Sequence, residues 1–192
     1  RDIFIQAWYQ GGISVIDFTD STNPIEIAYF DRGPIHEKEL LTGGFWSVYY
    51  YQGAIYGTEI ARGLDVLQLL PSEFLSANEI AAAALAYPAM GPSKLFNPQQ
   101  QIPMAWPDMP IVASAYVDQF ERAKAMSSVT ADNVRQLLSQ LAGLIKANKS
   151  SEVGEVISSI KKEMKNVTAD QTAVDRFQRT LEGIASQSLA SI

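Results

Sequence analysis

The stretch Ile3-Phe4-Ile5-Gln6-Ala7-Trp8-Tyr9-Gln10-Gly11-Gly12-Ile13-Ser14-Val15-Ile16-Asp17-Phe18 decides the class of the front third. Apolar, β-branched and aromatic residues recur at a period near two, and Gly11-Gly12 interrupts them. That pattern predicts two strands, Ile3–Tyr9 and Ile13–Phe18, joined by a tight hairpin in which glycine supplies positive φ at low cost. Working outward, Asp20-Ser21-Thr22-Asn23-Pro24 marks a turn and Ile25–Phe30 a third strand. After Gly33-Pro34 and Thr42-Gly43-Gly44 the alternation resumes, predicting Phe45–Tyr51, Ala54–Thr58 and Gly63–Leu69 as strands.

The chain also echoes itself at a spacing of 51 residues. Gly12 falls on Gly63, Val15 on Val66, Phe4 on Ile55, Tyr9 on Ile60 and Ile16 on Leu67. A period near 40–50 residues in strand-rich sequence is what stacked propeller blades produce, with a β-sandwich as the plainer rival. Six strands fill only about one and a half to two four-stranded blades, fewer than a closed ring needs. On that count the chain is expected to be a fragment, its remaining blades supplied by the same protein or by another chain.

Behind the strands the period changes to that of helix. Ser72–Leu85 carries the capping pattern Ser76-Ala77-Asn78-Glu79. Pro88, Pro92, Pro98, Pro103 and Pro107 break regular structure, while Phe96, Ile102 and Trp106 make the segment too apolar for a mere linker. It reads as an extended strap lying on the β part, with Phe96 and Trp106 buried. Helix resumes near Met109, with Pro110 in the first turn and Val112, Tyr116 and Phe120 on one face. The last stripes are Val134, Leu138 and Leu141, then Val153, Ile157 and Ile160, then Val174, Phe177 and Leu181. They predict a three-helix bundle, the third helix opened by Thr168-Ala169-Asp170-Gln171. The expected fold is thus multi-part α+β: terminal antiparallel blades of a partial β-propeller over 1–70, a capping helix and strap over 71–107, and a helical region over 108–192.

The run Trp8-Tyr9-Gln10-Gly11-Gly12-Ile13-Ser14-Val15-Ile16-Asp17 through Asn23-Pro24 resembles an LVIVD repeat, a bacterial and archaeal surface-propeller repeat. Gly43-Gly44-Phe45-Trp46-Ser47-Val48-Tyr49 and Ile60-Ala61-Arg62-Gly63-Leu64-Asp65-Val66 are similar to that family's final blade. Pro71-Ser72-Glu73 and Trp106-Pro107 extend the likeness, which covers about residues 3–122. Phe45-Trp46 stands where many family blades begin with His-Asn, a departure that leaves a polar channel site in this blade without that pair. The resemblance implies an extracytoplasmic protein (periplasmic, cell-surface or secreted) with no established enzymatic activity.

Composition narrows the chemistry. The chain has 192 residues, 47% hydrophobic and 19% charged, with a net charge of −6. That balance excludes disorder, and the acidity argues against nucleic acid, which needs a basic footprint. Residues 1–70 hold 4 Lys/Arg against 9 Asp/Glu, so the acidity sits at the front. No run of about 18 apolar residues exists to span a membrane. Cysteine is absent, which removes disulfides, thiolate metal sites and a Cys nucleophile.

The single histidine, His36, lies in Ile35-His36-Glu37-Lys38-Glu39 near Asp31. Asp31, His36 and Glu37 are the candidate metal ligands, set against a solvated loop of mixed charge. A Ser-His-Asp triad would also need His36, and no Gly-x-Ser-x-Gly elbow accompanies any serine. Asp17, Asp20 and Asp31 sit at strand ends, where Asx turns are the simpler account than calcium. Glu59 and Asp65 could form a glycosidase pair, but Arg62 between them favours a loop-ordering ion pair, Glu59–Arg62 or Arg62–Asp65. Neither a catalytic residue nor a cofactor is assigned. Trp8, Trp46, Glu59 and Arg62 are the expected interaction surface. The function expected is a non-enzymatic envelope or secreted module for protein or glycan interaction. A structural subunit of a larger assembly and an enzyme completed by upstream blades are the alternatives.

Overall fold

The computed structural model describes residues 1–89 and 103–190, which divide into two compact units, Arg1–Leu75 and Ser76–Ile192. The fold is mixed α+β.

In the first unit, β1 (Ile3–Ala7), β2 (Ile13–Asp17) and β3 (Ile25–Phe30) form one antiparallel sheet in chain order. β4 (Phe45–Tyr51), β5 (Ala54–Glu59) and β6 (Gly63–Leu67) form another. Residues from both sheets meet in one small core, with Val15, Ile27 and Ile55 buried and Ile5, Val48, Tyr50 and Leu67 packed against them. A bridge pairs Tyr9 with Phe45, tying the first hairpin to the start of β4. The turns follow the sequence reading closely. Asp17, Asp20 and Asp31 each accept a backbone N–H two residues on, from Thr19, Thr22 and Gly33, at 3.0, 3.0 and 2.8 Å. These are Asx turns, which fix the chain direction between strands.

The propeller expectation does not hold. The sheets have three, three and two strands; among the described residues there is no four-stranded blade and no closed ring. The 51-residue echo has a local cause. It lays the β1–β2 hairpin on the β5–β6 hairpin, the first hairpin of one sheet on the second of the other. Gly12 and Gly63 both follow a hairpin turn with φ of 80° and 94°, so the echo records turn chemistry and not a blade. Their surroundings differ: a Cβ on Gly12 would lie 2.1 Å from the Phe30 carbonyl oxygen, whereas one on Gly63 meets nothing within 4 Å. The strand count that called for outside blades as partners loses its basis with the blades.

The second unit opens with α1 (Ala77–Ala83), whose capping box is complete: Ser76 Oγ accepts from the Glu79 N–H and the Glu79 carboxylate accepts from the Ser76 N–H. Of the proline segment expected to form a strap, residues 90–102 lie outside the described residues. The segment's two ends pair with each other as β7 (Tyr87–Pro88) and β8 (Met104–Ala105). Trp106 is 44% exposed, and Phe96 lies outside the described residues.

Then come α2 (Pro110–Arg122), α3 (Ser128–Lys146), α4 (Ser150–Glu163), a short 3₁₀ turn and α5 (Gln171–Ala190). The bundle takes in one more helix than expected, because α2 packs on both α3 and α5 while α4 packs on the same two. Phe120 of α2 meets Phe177 of α5 edge-on with centroids 6.0 Å apart. Phe177, Leu138, Leu141, Ile160 and Leu181 are fully buried, each worth roughly 1.5–3 kcal/mol. The cap of α5 is Asp170, which accepts from the Ala173 N–H at 3.2 Å; Thr168 instead donates its N–H to the Ala125 carbonyl. Arg135 of α3 joins Asp118 and Glu121 of α2 and Asp132 of its own helix. Among the described residues no helix is long and apolar enough to cross a membrane.

Candidate interaction site at the hairpin end of the first unit

The site is built around three loops brought together by the Tyr9–Phe45 bridge. Tyr9 occupies the left-handed region at φ 55° and exchanges both backbone hydrogen bonds with Phe45, at 3.2 and 2.9 Å. Gly44 makes this approach feasible. Its φ is +88°, and a Cβ there would lie 2.0 Å from the Tyr9 carbonyl carbon.

Glu59, at the end of β5, organises the other side. It is 5% exposed. One carboxylate oxygen accepts from the Gly44 N–H; the other accepts from the Arg62 N–H and, at 3.0 Å, from the Ala61 N–H. Burial pushes its carboxyl up, but the three backbone donors and the nearby Arg62 charge outweigh that and hold it below the ordinary carboxylate range. Glu59 therefore stays ionised and fully engaged, the opposite of what a general acid requires. Neither expected ion pair forms. Arg62 reaches the Pro34 carbonyl at 3.4 Å, and Asp65 pairs with Arg32, whose guanidinium also lies 5.6 Å from the Phe30 ring centroid. With Glu59 held by backbone N–H groups and Asp65 paired with Arg32, the two carboxylates are not arranged as a glycosidase pair.

Above this framework lie the exposed rings. Trp46 is the extra residue of a β-bulge between Phe45 and Ser47, so it leaves the strand alternation and points outward, 68% exposed. It meets Tyr9 edge-on at 5.9 Å. Trp8 donates its indole N–H to Ser14 Oγ at 2.9 Å and is also half exposed. Beside them is a shallow, open depression that encloses only about 10 Å³, lined by Tyr9, Asp31, Arg32, Phe45, Glu59 and Arg62 among others. That is smaller than the ~300–1,000 Å³ typical of small-molecule pockets.

The metal candidates are placed as follows. Asp31 and His36 both serve their own loops: Asp31 in its Asx turn, and His36 Nδ1 accepting from the Glu39 N–H at 2.9 Å. Glu37 is exposed in the same loop. Among the described residues no group of three or more His, Asp or Glu could hold an ion. Sequence reasoning missed Gly44 as the partner of Glu59 and Arg32 as the partner of Asp65. The Gly43-Gly44 pair ahead of a strand was the available signal for the first; nothing local marks the second.

Comparison with protein-family models, curated proteins and solved structures finds no match.

Proposed function

We propose that the first unit is a non-enzymatic recognition module that docks a protein or glycan at its hairpin end. The observation that carries this is the cluster of Trp8, Tyr9 and Trp46, half to two-thirds exposed on a framework fixed by Glu59, with the Arg62 guanidinium at the rim. Aromatic rings held rigidly with an arginine beside them are the commonest anchors of binding surfaces. Recognition rather than turnover is favoured because the most buried carboxylate of the site is spent on backbone N–H groups. The similarity of the Arg62-Gly63-Leu64-Asp65-Val66 segment to LVIVD repeats supports an extracytoplasmic setting.

Glycan and peptide arrays probed with the chain test this. Bound ligands should be lost in Trp46→Ala and weakened in Arg62→Ala, with far-UV circular dichroism unchanged. Equal binding by Trp8→Ala, Trp46→Ala and the parent chain would refute it, as would chemical turnover of a bound ligand.

A further inference from the structure

The outer face of the second sheet is a separate surface. Beyond the bulge, β4 turns Val48 and Tyr50 toward the core, and Tyr49 and Tyr51 away from it. The register sets Tyr49 beside Tyr56 and Tyr56 beside Val66, and next to that row Ser47 beside Thr58 and Thr58 beside Leu64. An antiparallel sheet with one solvated face ordinarily alternates apolar in and polar out. This one carries no charge on its outer side, where tyrosines and aliphatic residues flank the hydrogen-bonded hydroxyls of Ser47 and Thr58. Tyr49, Tyr51, Leu64 and Val66 are 65%, 60%, 61% and 58% exposed, and no outward position on the three strands is charged.

We infer that this face is the interface of a homodimer, two copies packing sheet on sheet about a two-fold axis near Tyr56. Two features favour a second copy over a different partner. An uncharged face offers nothing to select a charged partner, whereas a two-fold axis lets the same rows bury each other. The area also suffices: side chains of this size, exposed to this extent, contribute on the order of 500 Å² per copy, so the pair reaches the ~1,000 Å² needed for a specific interface. The surrounding unit is acidic, with 4 Lys/Arg against 9 Asp/Glu in residues 1–70. Two copies therefore repel at long range, and the dimer tightens as salt screens that repulsion.

Sedimentation equilibrium of the full chain at low and high salt tests the proposal. A monomer–dimer equilibrium that strengthens with salt, and that Val66→Lys abolishes while circular dichroism is retained, is the expected result. A chain monomeric up to its solubility limit at both salts overturns it, and so does a dimer that salt weakens or that survives Val66→Lys. Cross-linking keeps the test independent of the lysine variant's folding. The chain has no cysteine, so any disulfide dimer of a single-cysteine variant reports that position alone. Tyr56→Cys, close to the axis, should oxidise to dimer at least about tenfold faster than Tyr29→Cys on the outer face of the first sheet. Equal rates, or the reverse order, overturn the proposal.

Discussion

The two units hold themselves together in different ways. The helical unit has a continuous core running from Ala113 through Leu138 and Ile160 to Ile184. A charge cluster on Arg135 links α2 to α3. The β unit buries Val15, Ile27 and Ile55 at its centre and leaves Trp8, Trp46, Tyr49 and Tyr51 largely in water. Apolar surface in the first case is spent on folding. In the second, much of it is left over, and leftover apolar surface on a rigid sheet is what binding uses. The contrast is why recognition is proposed for residues 1–75 and not for the helices.

The largest effect expected from this contrast is on Phe177. Phe177→Ala removes a fully buried ring that contacts Phe120 and Tyr116, and should cost about 3–5 kcal/mol. A melt followed at 222 nm would show it as a large drop in midpoint. A loss below about 1 kcal/mol would mean that the helical core is less continuous than described.

Acid should separate the units next. In the β unit burial pushes Asp17 and Glu59 up, but hydrogen bonds from Thr19 and Arg1, and from the Gly44, Arg62 and Ala61 backbone, pull both below their ordinary values. Groups depressed in the folded state give stability that is present above the unfolded carboxylate range, near ~4, and lost as pH falls through the folded values. Asp108 in the helical unit is shifted the other way, raised by desolvation. Its ionisation therefore costs stability as pH rises through that range, so Asp108→Asn should stabilise the helices at neutral pH. Denaturant melts from pH 3 to 7 in a Trp106→Phe background, which leaves Trp8 and Trp46 as the only tryptophans, read by fluorescence and by 222 nm ellipticity, would check both signs. Glu59→Gln should flatten the acid dependence of the fluorescence signal only.

The smallest effect is the most informative about the exposed face. Tyr49→Ser in dilute protein should change stability by no more than about 0.5 kcal/mol, because the ring makes no part of the core. A substantial loss would show that the outer face contributes to folding and is not held for a partner.

Much of this fold was legible because its determinants are local. Gly12, the Asx turns at Asp17, Asp20 and Asp31, the Ser76–Glu79 box and the helical stripes each act within a few residues, and each was found where the sequence put it. Each of the two sheets pairs strands that are adjacent in the chain, but the break between them, after β3, is written in no single strand's pattern. There the echo of Gly12 in Gly63 misled, since two hairpins that share a turn need not share a place in a repeat. The membership of α2 in the bundle was hidden for a similar reason: Val112, Tyr116 and Phe120 announce an apolar face without naming what it packs on. At the proposed recognition site, Trp46 and Arg62 could be singled out by residue type. The role of Glu59 could not, because its partners are backbone N–H groups, which every residue but proline carries alike.

The bulge at Trp46 bears on how such a surface changes over generations. Phe45 faces the core, and Ser47, Val48, Tyr49 and Tyr50 then alternate outward and inward as though Trp46 were not there, with Phe45 opposite Glu59 and Ser47 opposite Thr58. Removal of the single codon for residue 46 would leave every inward side chain of β4 facing inward, and its insertion would disturb none of them. A surface tryptophan can thus be gained or discarded by one in-frame insertion or deletion, without the compensating core substitutions that a shift of strand phase demands.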